Sequence, residues 1–527
     1  MKHFFALLIA FIFTTQFVCT TVNAQGTTIT VNHNDTIADS PEYYGSNVFW
    51  TLEDIDLITN RMQTSNMNIF RVTIFAYFIE TTNDDNDPNH INWNGFSFDK
   101  PIPWFDKTSS YDAILETIKD LNVTIMPTIV YLPPWLSRNQ HASNDMWTTY
   151  PPNNQQEYSE FVYAFLYHMV YHIGISPDKI IFEPFNEPDL SCGQDPSVHC
   201  FWKNHTTNDT AQTFITAHNA AKRVSSDIRL VGMAEWDNGR YVKNFISSHN
   251  GLNYLDGITY HKYSNSFGTD SLINMGKDLQ QYNLPVFTNE FGSRNWGSNG
   301  TDGAIFNSHV LTRLINNKIQ PIQFPFSGFP GLGAPYESMG LFYDWHNNWK
   351  IKKSFWIYAN IFNFVKNSKI LKANYNNSNL DILTNLKSNN LYLTLTNRSS
   401  NNMSINIQLQ QFPTSFGQVD IHDNTKEHSF LITQNVNQNT FSYTMPARNS
   451  ITLIFNSDSP NISSTPSPTS TPGDANGDDK VDGIDYVIWL NHHNQSTSNG
   501  SSDGDFNESG NIDGLDYVIW LNNYSGS

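Results

Sequence analysis

Ile180-Ile181-Phe182-Glu183-Pro184-Phe185-Asn186-Glu187-Pro188 is a β-branched and aromatic strand that stops at a proline and carries Asn186 and Glu187 at its carboxyl end. A buried strand holds a carboxyl rigidly at its tip while the surrounding walls shift its pKa, as acid/base chemistry requires. Its natural partner is Glu290, in Leu284-Pro285-Val286-Phe287-Thr288-Asn289-Glu290-Phe291-Gly292, again the end of a short apolar strand before a glycine-containing loop. Glu183 alternates in phase with Glu187 and points the same way but lower, where a buried structural pair is expected rather than catalysis.

Outward from this stretch, strand and helix signals alternate from Ser40 to Asn367. Strands are expected at Tyr44 to Phe49, Asn68 to Val72, Thr124 to Val130, Lys179 to Phe185, Arg229 to Ala234, Gly257 to Tyr260, Pro285 to Asn289 and Gln320 to Phe326. Between them, Tyr111 to Leu121, Gln156 to His172, Ala211 to Val224 and Ala304 to Asn317 carry apolar residues at helical spacing. Eight such units make an α/β chain whose residues 25–365 form a (β/α)8 TIM barrel, and such barrels keep their chemistry at the carboxyl ends of the strands. The strand ends offer Arg71, Trp135 as a stacking platform or buried plug, Asn186, Glu235 as a ligand for a sugar hydroxyl, and the pair His261 and Tyr263.

Asn186-Glu187-Pro188 after an apolar strand, with a second strand-end glutamate further on, resembles the retaining glycoside hydrolases of clan A. The resemblance implies that Glu187 is the general acid/base and Glu290 the nucleophile, about 5 Å apart, acting by double displacement without metal or organic cofactor. It implies further that Arg71 and Tyr263 bond the nucleophile, that Asn186 bonds the sugar 2-hydroxyl and that His261 lines the sugar site. Strand eight lacks the tryptophan that many clan members place there, and Phe324, Phe326 or Trp345 would take its position.

The first 24 residues, with Lys2, the apolar run Phe4 to Phe13 and Val22-Asn23-Ala24, fit a secretory signal peptide, and no later run reaches the roughly 20 apolar residues of a membrane span. A net charge of -19 disfavours nucleic acid and anionic membranes as partners, and 14% aromatic residues supply both a core and sugar-stacking surfaces. Cys192 and Cys200, both in the loop after Glu187, could form a disulfide in an oxidising compartment.

After a helix from Lys350 to Lys366 the pattern becomes that of a small antiparallel β-sandwich, residues 366–456. Its strands are expected at Asp381 to Leu386, Asn390 to Asn397, Met403 to Gln408, Thr440 to Met445 and Ser450 to Phe455, with Thr27 to Asn32 adding one. Residues 457–472 are a Pro/Ser/Thr linker. Residues 473–527 are a duplicated loop: Asp474, Asn476, Asp478, Lys480 through its backbone oxygen, Asp482 and Asp485 recur as Asp505, Asn507, Ser509, Asn511, Asp513 and Asp516. That spacing of oxygens is the EF-hand-like arrangement for a hard cation, with calcium as the expected ion. Two such loops, each leading into an apolar helix, resemble a type I dockerin, which implies a cohesin-like partner. Gly483-Ile484 and Gly514-Leu515 replace the hydroxyl residues that many dockerins use to read that partner, so attachment to a cell surface stands beside it as the alternative.

The expectation is a secreted, extracellular or cell-surface-attached retaining glycosidase of plant-type β-glycans, xylan first. A β-mannanase or β-glucanase is the alternative, and a non-catalytic glycan-binding barrel the contrasting class.

Overall fold

The computed structural model describes residues 26–48, 55–100, 110–138, 150–190, 202, 205–236, 238–264, 266–293, 295, 297–328, 336–343, 348–436, 439–457, 472–478, 480–497, 499–507 and 509–524. The expected signal peptide, most of the linker, Trp345 and both Cys192 and Cys200 lie outside the described residues. The chain divides into two compact units, Met1–Ser457 and Asp458–Ser527.

In the first unit, strand β1 is Thr27–Asp39 and the barrel strands are β2 (Gly45–Val48), β3 (Ile69–Phe75), β4 (Thr124–Val130), β5 (Ile181–Phe182), β6 (Arg229–Glu235), β7 (Gly257–Ser264), β8 (Val286–Ser293) and β9 (Gln320–Gln323). The eight run parallel in the order β4-β3-β2-β9-β8-β7-β6-β5, and bridges Ile125 to Ile180 and Thr128 to Glu183 join the two ends. Strand β5 is shorter than its apolar run suggested because Pro184 has no N–H to donate to a ladder. The expected helices form, and the sequence pattern had not separated out Ile55–Thr64, Arg240–His249 and Asp270–Leu279.

The barrel interior is layered. An apolar floor of Tyr43, Ile69, Met126, Ile181, Val231, Phe287 and Ile322 draws one side chain from each of seven strands or strand starts. At the eighth, Gly257 makes room, since a Cβ there would stand 3.0 Å from the Phe287 ring and 3.1 Å from Val231. Two residues further along the strands the same faces carry polar groups, with Arg71 above Ile69, Thr128 above Met126 and Glu183 above Ile181.

Strands β10 (Lys369–Asn374), β11 (Leu380–Lys387), β12 (Asn390–Asn397), β13 (Met403–Gln410), β14 (Phe416–Asp423), β15 (Phe430–Asn435), β16 (Thr440–Met445) and β17 (Asn449–Ser457) join β1 in one nine-stranded sheet. It curls on itself: Phe441 of β16 at one edge lies 5.8 Å from Phe455 of β17, near the other edge, around a common aliphatic core. The sheet is mixed rather than purely antiparallel. Strand β1 arrives from before the barrel and runs parallel to β13 while pairing antiparallel with β10, so the N-terminal strand is an interior strand of this sheet. Hydrogen bonds fasten it to barrel helices. Ser308 Oγ meets the hydroxyls of Thr396 and Ser450 at 2.7 and 2.9 Å, and Asn385 Nδ2 donates to the carbonyl of Phe364 at 2.9 Å.

In the second unit, helices Gly483–His492 and Gly514–Asn523 follow the two acidic loops. Trp489 Nε1 donates to the Asp513 carbonyl at 3.0 Å and Trp520 Nε1 to that of Asp482 at 2.8 Å, so each helix pins the loop of the other copy.

Gly45 is where the barrel wall tolerates least: a Cβ there would stand 1.8 Å from the carbonyl oxygen of Ile69. Gly45→Ala is expected to cost more than about 2 kcal/mol or to prevent folding. Denaturant unfolding followed by circular dichroism measures this, and a wild-type midpoint would contradict it.

Candidate active site

The polar layer above the floor is organised by Arg71, which is 1% exposed. Its Nε donates to Glu183 Oε2 at 2.8 Å, one terminal nitrogen to Asn47 Oδ1 at 2.8 Å and to Glu290 Oε1 at 2.7 Å, and the other to Asn186 Oδ1 at 2.5 Å. A planar guanidinium with five donors can serve four groups from three strands or strand ends, which lysine cannot. Thr128 Oγ1 and Asn289 Nδ2, each at 2.8 Å, complete the shell of Glu183. Burial alone would raise the Glu183 pKa, but the Arg71 charge first, and hydrogen bonds from Thr259 and Thr128, hold it below the usual value. Glu183 is therefore the structural partner its depth suggested.

Strand β8 brings Asn289 and Glu290 into one network although they are adjacent. Tyr260 pairs with Thr288 and His261 with Glu290, so Asn289 is the extra residue of a β-bulge. The bulge turns the Asn289 amide onto Glu183 and leaves Glu290 on Arg71. Tyr263 donates its hydroxyl to Glu290 Oε2 at 3.0 Å, and its ring stacks on Trp236 at 5.3 Å.

Glu187 sits just past β5 with a φ of +41°, a backbone position that a residue with a Cβ adopts only when its surroundings impose it. Its N–H donates to the carbonyl of Ala234 at 3.2 Å. Its Oε1 lies 2.7 Å from Nδ1 of His261, and the same nitrogen is 3.5 Å from Glu290 Oε2. One carboxylate oxygen from each glutamate and a His261 ring nitrogen all lie within 4.8 Å of one another. Both glutamates are more than nine-tenths buried and His261 is fully buried. Burial pushes the Glu290 carboxyl above its ordinary value, helped by the Glu187 charge and opposed by His261, Arg71 and Tyr263. Burial likewise lowers the pKa of His261, so that its ring is neutral near pH 7.

The structure thus gathers Arg71, Asn186, Glu187, His261, Tyr263 and Glu290 around one point. Trp135 stands apart from it, half-buried, its indole N–H donating to the carbonyl of Glu80 at 3.0 Å. Glu235 is fully buried, and both its oxygens accept backbone N–H groups, from Tyr241 at 2.8 Å and Val242 at 2.6 Å. Those bonds make Glu235 the cap of the helix Arg240–His249, and burial pushes its pKa to about 8. It has no face left for a sugar hydroxyl, contrary to expectation. At strand eight, the Phe324 ring stands 6.2 Å from that of Tyr263, whereas Phe326 packs in the core. Asn47 and Trp236 join the site without having been singled out; only their places at or just beyond the ends of β2 and β6 hinted at them.

In the second unit the oxygen donors Asp474, Asn476, Asp478, Asp482 and Asp485 surround one loop and Asp505, Asn507, Ser509, Asp513 and Asp516 the other, with Lys480 and Asn511 at the backbone-donor position. Asp474, Asp485, Asp505 and Asp516 are at most 2% exposed. Asp485 accepts N–H groups from Ala475 and Asp482, at 2.8 Å each, and so ties the start of its loop to its end. Buried carboxylates at this density call for a balancing cation, and an all-oxygen donor set fits a hard divalent one.

No curated protein matches the chain in sequence. Among solved structures, the chain aligns with a GH30 endoxylanase from Clostridium papyrosolvens C71 at 15% identity and a TM-score of 0.59, covering 81% of this chain and all of that one. The catalytic domain of GH30 xylanase C from Talaromyces cellulolyticus aligns at 15% identity and 0.60, covering 82% and 100%. A monomeric β-xylosidase from Caulobacter crescentus CB15 aligns at 12% and 0.57, covering 81% and 99%. The barrel and its curled sheet therefore have the fold of clan A glycoside hydrolases of the GH30 type. Residues 472–524 match the type I dockerin domain family, whose members bind calcium.

Two outcomes follow from these charges. Arg71→Met should destabilise the barrel by about 3–5 kcal/mol because it leaves Glu183 and Glu290 buried without their cation, and adding Glu183→Gln should recover part of that. Urea unfolding of both variants tests it; equal stability of single and double variant would deny the charge balance. Removing calcium with a chelator should expose residues 472–524 of the full chain to protease while residues 26–457 stay resistant; unchanged cleavage would count against a metal-held fold.

Proposed function

We propose that the chain is an exported retaining glycoside hydrolase of plant-type β-glycans, held to a scaffold or surface by its dockerin domain. The observation that carries this is the approach of Glu187 and Glu290 to within 4.8 Å at the carboxyl ends of the strands, the spacing that direct attack on an anomeric carbon needs. Glu290 is the nucleophile, with Arg71 and Tyr263 donating to its two oxygens and favouring the charge it must carry. Glu187 is the acid/base. It gives its proton to the leaving oxygen, and once Glu290 is esterified it takes one from water, because the neighbouring negative charge has gone.

His261 supports both halves of this cycle. A neutral imidazole offers Nδ1 as an acceptor to a protonated Glu187 or as a donor to an ionised one, through a change of tautomer. Asn186, whose side-chain oxygen accepts from Arg71, bonds the sugar 2-hydroxyl in this reading. These steps use no metal or organic cofactor.

Xylan-type polysaccharide is the first substrate, on the likeness to proteins described as xylanases, with β-mannan or β-glucan second. Calcium bound through the twelve loop positions from Asp474 to Asp516 holds the dockerin, and the partner is cohesin-like. Export rests on the leader-like first 24 residues and on the extracellular setting of dockerin enzymes. Among the described residues no helix is long and apolar enough to cross a membrane.

Reducing-sugar release from xylan, mannan and β-glucan tests the reading. Glu290→Ala should lose at least about 10⁴-fold in rate, whereas Glu187→Ala should lose about 10²–10⁴-fold on polysaccharide but far less on aryl glycosides with good leaving groups. Binding without cleavage by the wild type would instead favour a glycan-binding barrel.

A further inference from the structure

A second hollow lies on the same face of the barrel, among the loops that follow β3 and β4. It has a volume of about 520 Å³ and is lined by Asn83, Asn86, Trp135, Asn153, Asn154 and Glu157. Its size falls within the range of small-ligand sites.

Its aromatic wall is fixed. The Trp135 indole N–H is anchored on Glu80, and the Trp135 carbonyl accepts from Asn153 Nδ2 at 2.7 Å, so the ring cannot swing to follow a ligand. A half-buried, immobilised indole leaves its face to apolar contact, and the C–H face of a sugar ring is the natural complement. Amide side chains surround it. The Oδ1 atoms of Asn83 and Asn154 are engaged by backbone N–H groups of Asp85 and Gln156 at 3.2 and 2.9 Å, which leaves their amide N–H groups to donate to hydroxyls.

Beneath the hollow the field is negative. Glu157 belongs to a set of carboxyls with Glu80, Asp84 and Glu160, of which Glu80, Glu157 and Glu160 are more than nine-tenths buried. Burial first, then the charge of Asp84 and that of neighbouring glutamates, pushes Glu80 to about 8 and Glu160 to about 9, so these two hold their protons near pH 7 and the negative charge here is that of Asp84 and Glu157. A carboxylate on a ligand in the hollow would meet the same field, and among the described residues no lysine or arginine lines it.

We propose that this hollow is a binding site for an uncharged sugar ring of a β-glycan chain, stacked on Trp135, and that it selects against rings bearing a uronic acid. The proposal rests on the glycan-cleaving reading above and narrows its substrate to neutral stretches of the polymer. The chain segments before and after the cleaved bond would then be sorted by charge at a point remote from the chemistry.

The test is calorimetric binding to full-length Glu290→Ala protein, using xylohexaose, cellohexaose, mannohexaose and an aldouronic xylo-oligosaccharide of the same length. At least one neutral hexaose should bind, and the aldouronic oligosaccharide about tenfold more weakly than its neutral counterpart. Adding Trp135→Ala should weaken the neutral ligand about tenfold, while Trp135→Phe, which keeps a ring, should hold affinity within about threefold. Unchanged affinity in Trp135→Ala, or an aldouronic ligand bound as tightly as the neutral one, would overturn the proposal. A neutral ligand bound in the expected way by a wild type that cleaves nothing would uphold this site and remove the enzymatic reading; cleavage with a silent Trp135→Ala would do the reverse.

Discussion

The structure of the barrel mouth depends on one buried cation. Arg71 is surrounded by Glu183 below, Glu290 above, and the side-chain oxygens of Asn47 and Asn186 to the sides. An arginine with no access to water is tolerable only when every N–H finds an acceptor and its charge is matched. Meeting that demand fixes four strands relative to one another, because the acceptors come from β2, the region of β5 and β8 while Arg71 itself is on β3. The apolar floor and the polar layer thus share one register, and a slip of any of these strands by one residue would bury Arg71 against the wrong face.

Much of this could be read from the residues in order. The run Ile180 to Pro188 marked the strand, and its depth marked Glu183 as a buried structural carboxyl, which the structure pairs with Arg71. What escaped was whatever breaks period two. Asn289 and Glu290 are neighbours and should face opposite ways, yet the bulge in β8 turns both inward. Glu187 sits in left-handed backbone, which no propensity rule would assign to a glutamate before a proline. Glu235 had every mark of a strand-end ligand, and only the start of the next helix at Arg240, within reach of its oxygens, made it a cap. Sequence alone gives the strand ends; it does not say which helix N-termini fold back onto them.

The curled sheet shows the same limit at larger scale. Alternating strands such as Met403–Gln410 announce themselves, because each second side chain is buried. Phe430–Asn435 is mostly exposed at the sheet edge and so lacks the alternation that a half-buried strand needs. The position of Thr27–Asp39 between β10 and β13 depends on a return of the chain after the whole barrel, which only the closed topology reveals. In the dockerin the opposite holds. Two copies of one loop and helix repeat nearly every contact, so reading one copy predicts the other down to the crossed Trp489 and Trp520 bonds.

A count of charges at the mouth explains why this arrangement suits a proton-transfer site. Three carboxyls, Glu183, Glu187 and Glu290, face one permanent cation. Burial keeps the His261 ring neutral, so it does not supply a second. Arg71 and its neighbours hold Glu183 ionised. Two further negative charges within 4.8 Å of one another in a buried site would then be unbalanced, and the least costly remedy is one proton on the pair. Burial and mutual repulsion both raise the pKa at which that proton leaves, which is why the Glu290 carboxyl is shifted upward despite its donors. Within the pair, Glu290 accepts from Arg71 and Tyr263 while Glu187 faces His261, which accords with the proposal that Glu187 carries the shared proton. The lower carboxyl, Glu183, matters to this balance: its charge matches that of Arg71 before Glu290 is reached, so Arg71 has no net charge left to drive off the proton proposed for the pair above.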